Sequence, residues 1–110
     1  MIESQIEIER SSGNVYADLG FPDAEQMLVK AQLVSKIGEI LRERGWTQQQ
    51  ASKVLGIPQP KLSKMLRGQF RGISETKMLE CLTKLGRDIQ IVIGSEKAPP
   101  AVGSVGVISA

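Results

Sequence analysis

Apolar residues recur at a helical spacing through the middle of the chain. Between Asp23 and Gly45 they form one stripe, made of Leu33, Ile37, Ile40 and Leu41. Such a stripe predicts an amphipathic helix. Acidic residues in its first turn, arginines in its last and a glycine at its end are typical of helix termini. The pattern is clearest from Lys30 onward, and it leaves room for a break before that residue.

A shorter helix is predicted to begin at Thr47. Thr47 and Gln50 have the spacing of a capping box, in which each side chain accepts a hydrogen bond from the other residue's backbone N–H. The periodicity predicts that three apolar residues face inward, namely Ala51, Val54 and Leu55. Gly56 then ends the helix.

Two prolines, Pro58 and Pro60, stand where a third helix would begin. A proline is compatible with the first helical turn, because the N–H groups there have no intrahelical acceptor. Pro60 disfavours helical geometry at the residue before it. The third helix is therefore predicted to begin at Pro60, with Gln59 as its N-cap, and to end before Gly68.

This third helix would have two unlike faces. One arc is apolar and consists of Leu62, Met65 and Leu66. The opposite arc is small, polar and basic; it consists of Pro60, Ser63, Lys64 and Arg67, with Gln59 and Lys61 on its flanks. It holds no carboxylate that would repel phosphate. A helix that reads DNA bases in the major groove presents such a face. An ordinary solvated surface would also fit the pattern.

The last third of the chain changes period. Ser74 is a good N-cap for a fourth helix, whose apolar positions are Met78, Leu79, Leu82 and Leu85. After Gly86, the stretch "DIQIVIG" alternates apolar and polar residues over 88–94, which predicts a strand. The remainder, 95–110, is rich in proline, glycine and serine and is predicted to be a flexible tail.

Charge separates the chain into two parts. Residues 1–29 carry six acidic residues and one basic residue, whereas residues 42–71 carry seven basic residues and one acidic residue. A basic block on predicted helices favours a polyanionic partner such as nucleic acid. The alternative is an ordinary solvated basic surface.

The residue types argue against an enzyme. The chain has no histidine and one cysteine, Cys81, which lies among leucines and is interpreted as a buried structural residue. Residue sets for metal binding, nucleophilic catalysis or phosphate binding by a glycine-rich loop are missing, so no cofactor is expected. The N-terminus does not resemble a signal peptide, and no apolar run approaches the roughly 20 residues of a membrane span. A cytoplasmic protein is expected.

The residues from Thr47 to Gly68 resemble the helix-turn-helix of the phage-repressor-like family, the XRE or Cro/cI type. The resemblance lies in Thr47-Gln48, small Ala51 and Ser52, Leu55-Gly56-Ile57, Gln59, apolar Leu62, Met65 and Leu66, and Arg67-Gly68. A narrower resemblance, to HigA-type antitoxins of toxin–antitoxin operons, lies in "SSGNVYADLGFPDAEQMLVKAQLVSKIGEILRERGWTQQQASKVLGI" and "LRGQFRGIS". The resemblance implies a mainly α, compact bundle of about five helices that binds operator DNA as a homodimer.

The resemblance also implies a role for each exposed residue. Gln48 would reach a DNA phosphate, together with backbone N–H groups at the start of its helix. Base-reading positions are occupied by Gln59, Pro60, Ser63 and Lys64, and contacts with the DNA backbone are assigned to Lys61, Arg67 and Arg71. Because prolines replace the family's usual polar residues at positions 58 and 60, part of the readout is expected to depend on DNA shape.

Three functional hypotheses follow. The first is a transcriptional repressor that is also an antitoxin, neutralising a small RNase toxin through its acidic segment. That segment could equally pack against its own domain. The second is a stand-alone XRE-type regulator, and the third is a helix-turn-helix scaffold for protein interactions. The expected organisation is an acidic arm over 1–29, a DNA-binding domain over 30–87, a strand with a possible dimerisation role over 88–94, and a tail over 95–110.

Overall fold

The computed structural model describes residues 19–20 and 22–109, and this part of the chain is mainly helical. Four helices are present in it: α1 Ala24–Arg44, α2 Gln48–Leu55, α3 Gln59–Leu66 and α4 Glu75–Lys84. The predicted count of about five helices is therefore not confirmed within the described residues. The reason is that α1 passes Lys30 without a break, since neither proline nor glycine interrupts its first half.

Helix α1 is the longest element, with 21 residues. Met27 and Val29 are buried, so its first two turns already contribute to the core. The boundary expected between residues 29 and 30 falls inside this helix. Gly45 ends it in the left-handed conformation, with φ of 67°, and its N–H donates to the Arg42 carbonyl. A residue with a side chain would be strained there, which explains the glycine.

The core lies where α1 packs against α3 and α4, and α2 packs against α3 and α4. The largest fully buried side chains are Ile37, Ile40, Leu55, Leu62, Met65, Met78, Leu85 and Cys81. Each buried aliphatic side chain contributes about 1.5–3 kcal/mol to folding. The apolar stripe predicted for α1 is confirmed as buried. The inward position predicted for Val54 is wrong, because this side chain on α2 is 41% exposed.

Basic side chains join the helices at their ends. Each of three donates to a backbone carbonyl of another segment: Lys30 Nζ to Arg71 O at 2.9 Å, Lys84 Nζ to Leu55 O at 3.3 Å, and Arg44 Nη2 to Leu85 O. Carbonyls at helix C-termini lack intrahelical donors, and a cation there also interacts favourably with the helix dipole. These bonds fix the ends of α2 and α4 and the loop after α3.

The strand predicted over 88–94 is wrong for the described residues. The stretch forms neither helix nor strand, and residues 104–109 line the same groove, but no backbone hydrogen bond joins the two segments. A strand requires a paired neighbour, which the alternating sequence alone cannot supply. Ile91 and Ile93 are consequently 81% and 87% exposed.

Most of the acidic segment, including residues 1–18, lies outside the described residues, so its expected role as an arm stays a prediction. None of the helices in the described part is long and apolar enough to cross a membrane. The same residues contain no group of three or more acidic, cysteine or histidine side chains that could hold a metal ion.

Candidate nucleic-acid interface

The start of α2 is built by the predicted capping box. The Gln50 N–H donates to Thr47 Oγ1 at 3.1 Å, and the Thr47 N–H donates to Gln50 Oε1 at 2.9 Å. Two N–H groups at the helix start are satisfied in this way. Gln48, the first helical residue, takes no part in the cap and is exposed. Its side chain is therefore available beside the positive end of the helix dipole.

The turn between α2 and α3 is held tightly. Gly56 has φ of 69°, and Ser52 Oγ donates to the Ile57 carbonyl at 2.5 Å. The N–H groups of Gly56 and Ile57 both donate to the Ser52 carbonyl. Ile57 is buried, and a Cβ on Gly56 would lie 3.3 Å from Lys84 Nζ. These contacts set the angle at which α3 leaves α2.

Helix α3 begins one residue earlier than predicted. Pro58 is the N-cap, Gln59 is the first helical residue and Pro60 the second, so Gln59 is not the cap. The reason is the hydrogen bond from the Leu62 N–H to the Pro58 carbonyl, 2.9 Å long, which adds Gln59 to the helix and outweighs its local preference before a proline. The prediction that Pro60 fits the first helical turn is confirmed.

The outward side of α3 brings together most of the predicted site residues. Gln59, Pro60, Lys61, Lys64 and Arg67 are all exposed. On the inward side, Leu62 and Met65 are completely buried. The helix contains two lysines and no acidic residue. A single rigid element therefore presents a basic, polar surface that the core holds in place.

Ser63 and Arg67 form a pair on this helix. Arg67 Nη1 donates to Ser63 Oγ at 2.9 Å, which draws the guanidinium back along α3. Ser63 is half-buried. Its hydroxyl accepts this bond and keeps its own proton for donation outward. The pair thus orients Arg67 and leaves Ser63 one donor for a ligand.

Arg71 is placed apart from the other predicted residues. It lies in the loop between α3 and α4, and its Nη1 is 2.6 Å from Asp23 Oδ2 at the start of α1. Its backbone carbonyl accepts from the buried Lys30. The structure therefore connects Arg71 to α1, a contact between residues far apart in sequence that no local pattern indicates.

Arg42 is absent from the site residues predicted from the sequence, and the structure places it beside Gln48. Both line a cleft of about 500 Å³ between α1, the start of α2 and the end of α3, together with Ser35, Trp46 and Leu66. The available signal was the position of Arg42 in the last turn of α1, directly before the predicted motif. Arg44, two residues later, is held away from this cleft. Its guanidinium lies 4.9 Å from the centre of the Trp46 ring, and its Nη2 donates to the Leu85 carbonyl.

Cys81 lies in α4, outside this interface, and its predicted burial is confirmed. Burial raises the pKa of the thiol above its ordinary value, and the nearby Lys77 and Lys84 offset this only in part. A raised pKa keeps the sulfur protonated and unreactive near neutral pH. The cysteine therefore serves the core.

Residues 15–94 match the family model of a helix-turn-helix domain. The chain belongs to this helix-turn-helix family. Among solved structures, a chain described as a proposed XRE-family transcriptional regulator is 29% identical, with a TM-score of 0.74 and a match that covers 81% of this chain and 100% of that one. No match is found among curated proteins. The XRE-type helix-turn-helix predicted from the sequence is thus confirmed, whereas the closer resemblance to HigA-type antitoxins stays a prediction.

Proposed function

We propose that this protein is a sequence-specific, DNA-binding transcriptional repressor that inserts α3 into the major groove. The observation that carries the proposal is the outward side of α3, which is exposed, basic and free of carboxylates while its inward side is fully buried. A recognition helix must be presented rigidly and must attract phosphate, and α3 meets both requirements. The similarity to an XRE-family regulator supports the same function.

Each predicted site residue has a proposed contact. Gln59 pairs with adenine, Lys64 with guanine, and Pro60 touches a thymine methyl group, while Ser63 donates its hydroxyl to a base edge. The DNA backbone is contacted by Gln48, Lys61, Arg67 and Arg71. The first group gives specificity and the second affinity.

A homodimer is proposed because a repressor of this type binds two half-sites about one DNA turn apart. The apolar side chains of residues 89–93 support an interface there, since Ile91, Val92 and Ile93 are all more than 80% exposed. Exposed apolar surface of this kind is typical of interaction sites. Pairing with the same segment of a second copy would supply the missing strand neighbour.

The finer proposal is that the repressor is the antitoxin of a toxin–antitoxin operon and neutralises a small RNase toxin. Its support is the acidic composition of residues 1–29, because an RNA-cleaving enzyme needs a positive surface that an acidic segment can cover. The alternative is a stand-alone regulator without a toxin. Purification of the native protein from its own cells, with identification of any small basic protein bound to it, separates the two. The scaffold alternative is disfavoured by the basic surface of α3.

The test of DNA binding begins with selection of bound duplexes from a random-sequence pool. The double variant Gln59→Ala, Lys64→Ala should lose about 2–5 kcal/mol on the selected duplex and little on random DNA. The matched control is Lys77→Ala, which also removes one lysine. Lys77 lies on α4, where it pairs with Glu80, and it is not part of the proposed DNA-reading surface of α3. Equal losses on both duplexes would remove Gln59 and Lys64 from base reading. Failure of the wild-type protein to enrich any sequence would overturn the proposed function.

A further inference from the structure

The last carbonyl of α2 is bonded by a side chain from outside the helix-turn-helix. Lys84 Nζ, which belongs to α4, donates to the Leu55 carbonyl at 3.3 Å. Among the described residues no backbone N–H donates to this carbonyl, and the N–H groups of Gly56 and Ile57 both donate to the Ser52 carbonyl instead. A carbonyl at a helix C-terminus lacks an intrahelical donor and carries partial negative charge, which attracts a cation. Lys84 therefore satisfies a group at the end of α2 that the motif itself leaves open.

The same ammonium group lies against the turn between α2 and α3. A Cβ at position 56 would lie 3.3 Å from Lys84 Nζ, so the lysine reaches the backbone at the residue where the chain turns. Gly56 has φ of 69°, and Ile57 after it is 2% exposed. Helix α3 begins at Gln59. Because this connection is short and Ile57 is buried, movement at the end of α2 is passed on to the start of α3.

The backbone that carries Lys84 is firmly held. The next residue, Leu85, is 1% exposed, and its carbonyl accepts a hydrogen bond from Arg44 Nη2 at the end of α1. Cys81, one turn earlier, is completely buried. The Lys84 side chain itself is 39% exposed, with Glu80 Oε2 3.9 Å from its ammonium, so it adds little to the core. An ammonium on a fixed base can hold the end of α2 without being needed for folding.

We propose that Lys84 is a positioning residue, which keeps α3 in the orientation that reads bases although it lies on α4. This inference rests on the proposed function. Hydrogen bonds to base edges require α3 to be placed within about 0.5 Å, whereas phosphate contacts by long basic side chains tolerate more movement and carry no sequence information. Without the bond to Leu55, α3 spends a smaller fraction of the time in the base-reading orientation. Affinity for the correct site then falls by that fraction.

The test compares Lys84→Met with the wild-type protein on two duplexes of equal length, one selected from a random pool and one of random sequence. Methionine keeps an unbranched apolar stem and removes the ammonium group. Affinity for the selected duplex should fall by about threefold to tenfold, the range that one long hydrogen bond can account for. Affinity for random DNA should fall by less than about twofold, and the slope of log affinity against log salt should stay unchanged, because no phosphate contact is lost.

The matched control is Lys77→Met, which removes the same charge from the same helix. Lys77 lies about two turns before Lys84 and pairs with the same carboxylate, that of Glu80, at 3.3 Å. The control therefore disturbs the same ion pairs and leaves the end of α2 untouched. Its ratio of selected to random affinity should equal that of the wild-type protein.

A second measurement uses the free protein and does not depend on DNA. In NMR spectra of the backbone amides, Lys84→Met should shift the signals of Gly56, Ile57 and the first turn of α3, whereas Lys77→Met should leave them in place. The melting temperature of both variants should stay within about 4 °C of the wild-type value, because substitutions of exposed side chains change stability little.

Three results would overturn the inference. An unchanged affinity ratio for Lys84→Met, with or without a lower melting temperature, would leave the lysine a stabilising role alone. Equal losses on both duplexes, with a salt slope reduced by about 0.9, would make Lys84 a direct phosphate contact. Unshifted α3 signals would show that the bond does not hold α3. Failure of the wild-type protein to enrich any sequence would instead overturn the proposed function, and the NMR comparison would still decide whether Lys84 holds α3.

Discussion

Two surfaces of this chain differ in chemistry and in how they are held. The outward side of α3 is polar and basic, and it is fixed by the buried residues Leu62 and Met65. Residues 89–108 instead form neither helix nor strand, and most of their apolar side chains are exposed, although Val107 packs against the core. Charged surface on a rigid helix suits an ionic, sequence-dependent partner, whereas exposed apolar chain suits another protein. We therefore propose that one chain reads a single half-site with α3 and that the C-terminal surface contacts a second chain.

The largest expected effect separates the two surfaces by stability. Leu62→Ala should lower the free energy of unfolding by about 2–5 kcal/mol, because it leaves a cavity beneath α3. Ile91→Ala should change it by less than about 0.5 kcal/mol, because this side chain is already in water. Urea unfolding followed by circular dichroism, at protein concentrations low enough to dissociate dimers, measures both. Similar losses for the two variants would mean that residue 91 packs on the core.

An intermediate effect concerns assembly. The double variant Ile91→Ser, Ile93→Ser should convert a dimer into monomers, because it removes apolar surface from the proposed interface. Operator affinity should fall with it, since two half-sites can no longer be bound by one particle.

Sedimentation velocity at several concentrations measures this change of mass. The control is Val54→Ser, which also replaces an exposed apolar residue but lies on α2. A dimer that persists in the double variant and not in the control would place the interface on α2 instead.

The smallest expected effect is on salt dependence. Arg67→Ala should weaken binding to all duplexes and reduce the slope of log affinity against log salt by about 0.9, the contribution of one phosphate contact. Gel-shift titrations over a range of sodium chloride concentrations measure the slope. An unchanged slope would mean that the bond to Ser63 keeps Arg67 away from the DNA backbone.

The parts of the fold that could be predicted from sequence are those set by local interactions. Thr47 and Gln50 cap the start of α2, and Gly56 ends it. Each of them acts on residues within about one helical turn, so the local sequence alone predicts both ends of α2. Ser74 caps α4 for the same reason, with its Oγ accepting from the Lys77 N–H. Likewise, the position of Pro60 in the first helical turn can be predicted, because N–H groups there have no intrahelical acceptor to lose.

What could not be predicted depends on partners far away in sequence. The alternation over 88–94 indicates a strand, but a strand also needs a hydrogen-bonded neighbour. Among the described residues, no other segment pairs with it. Val54 fits the apolar period of α2 and is still exposed, because an eight-residue helix leaves the edge of its buried face poorly defined. The ion pair of Asp23 with Arg71 joins residues 48 positions apart. The roles of the exposed α3 residues toward DNA stay predictions.

The basic side chains that end on backbone carbonyls have a practical consequence for handling the protein. Lys30, Arg44 and Lys84 make part-buried bonds between helices, and added ions screen such bonds little. Phosphate contacts on an exposed helix are instead released by salt. Chromatography in molar sodium chloride should therefore strip contaminating nucleic acid from the protein and leave the four helices intact. Full helical circular dichroism in that buffer, with an absorbance spectrum typical of pure protein, is the expected result.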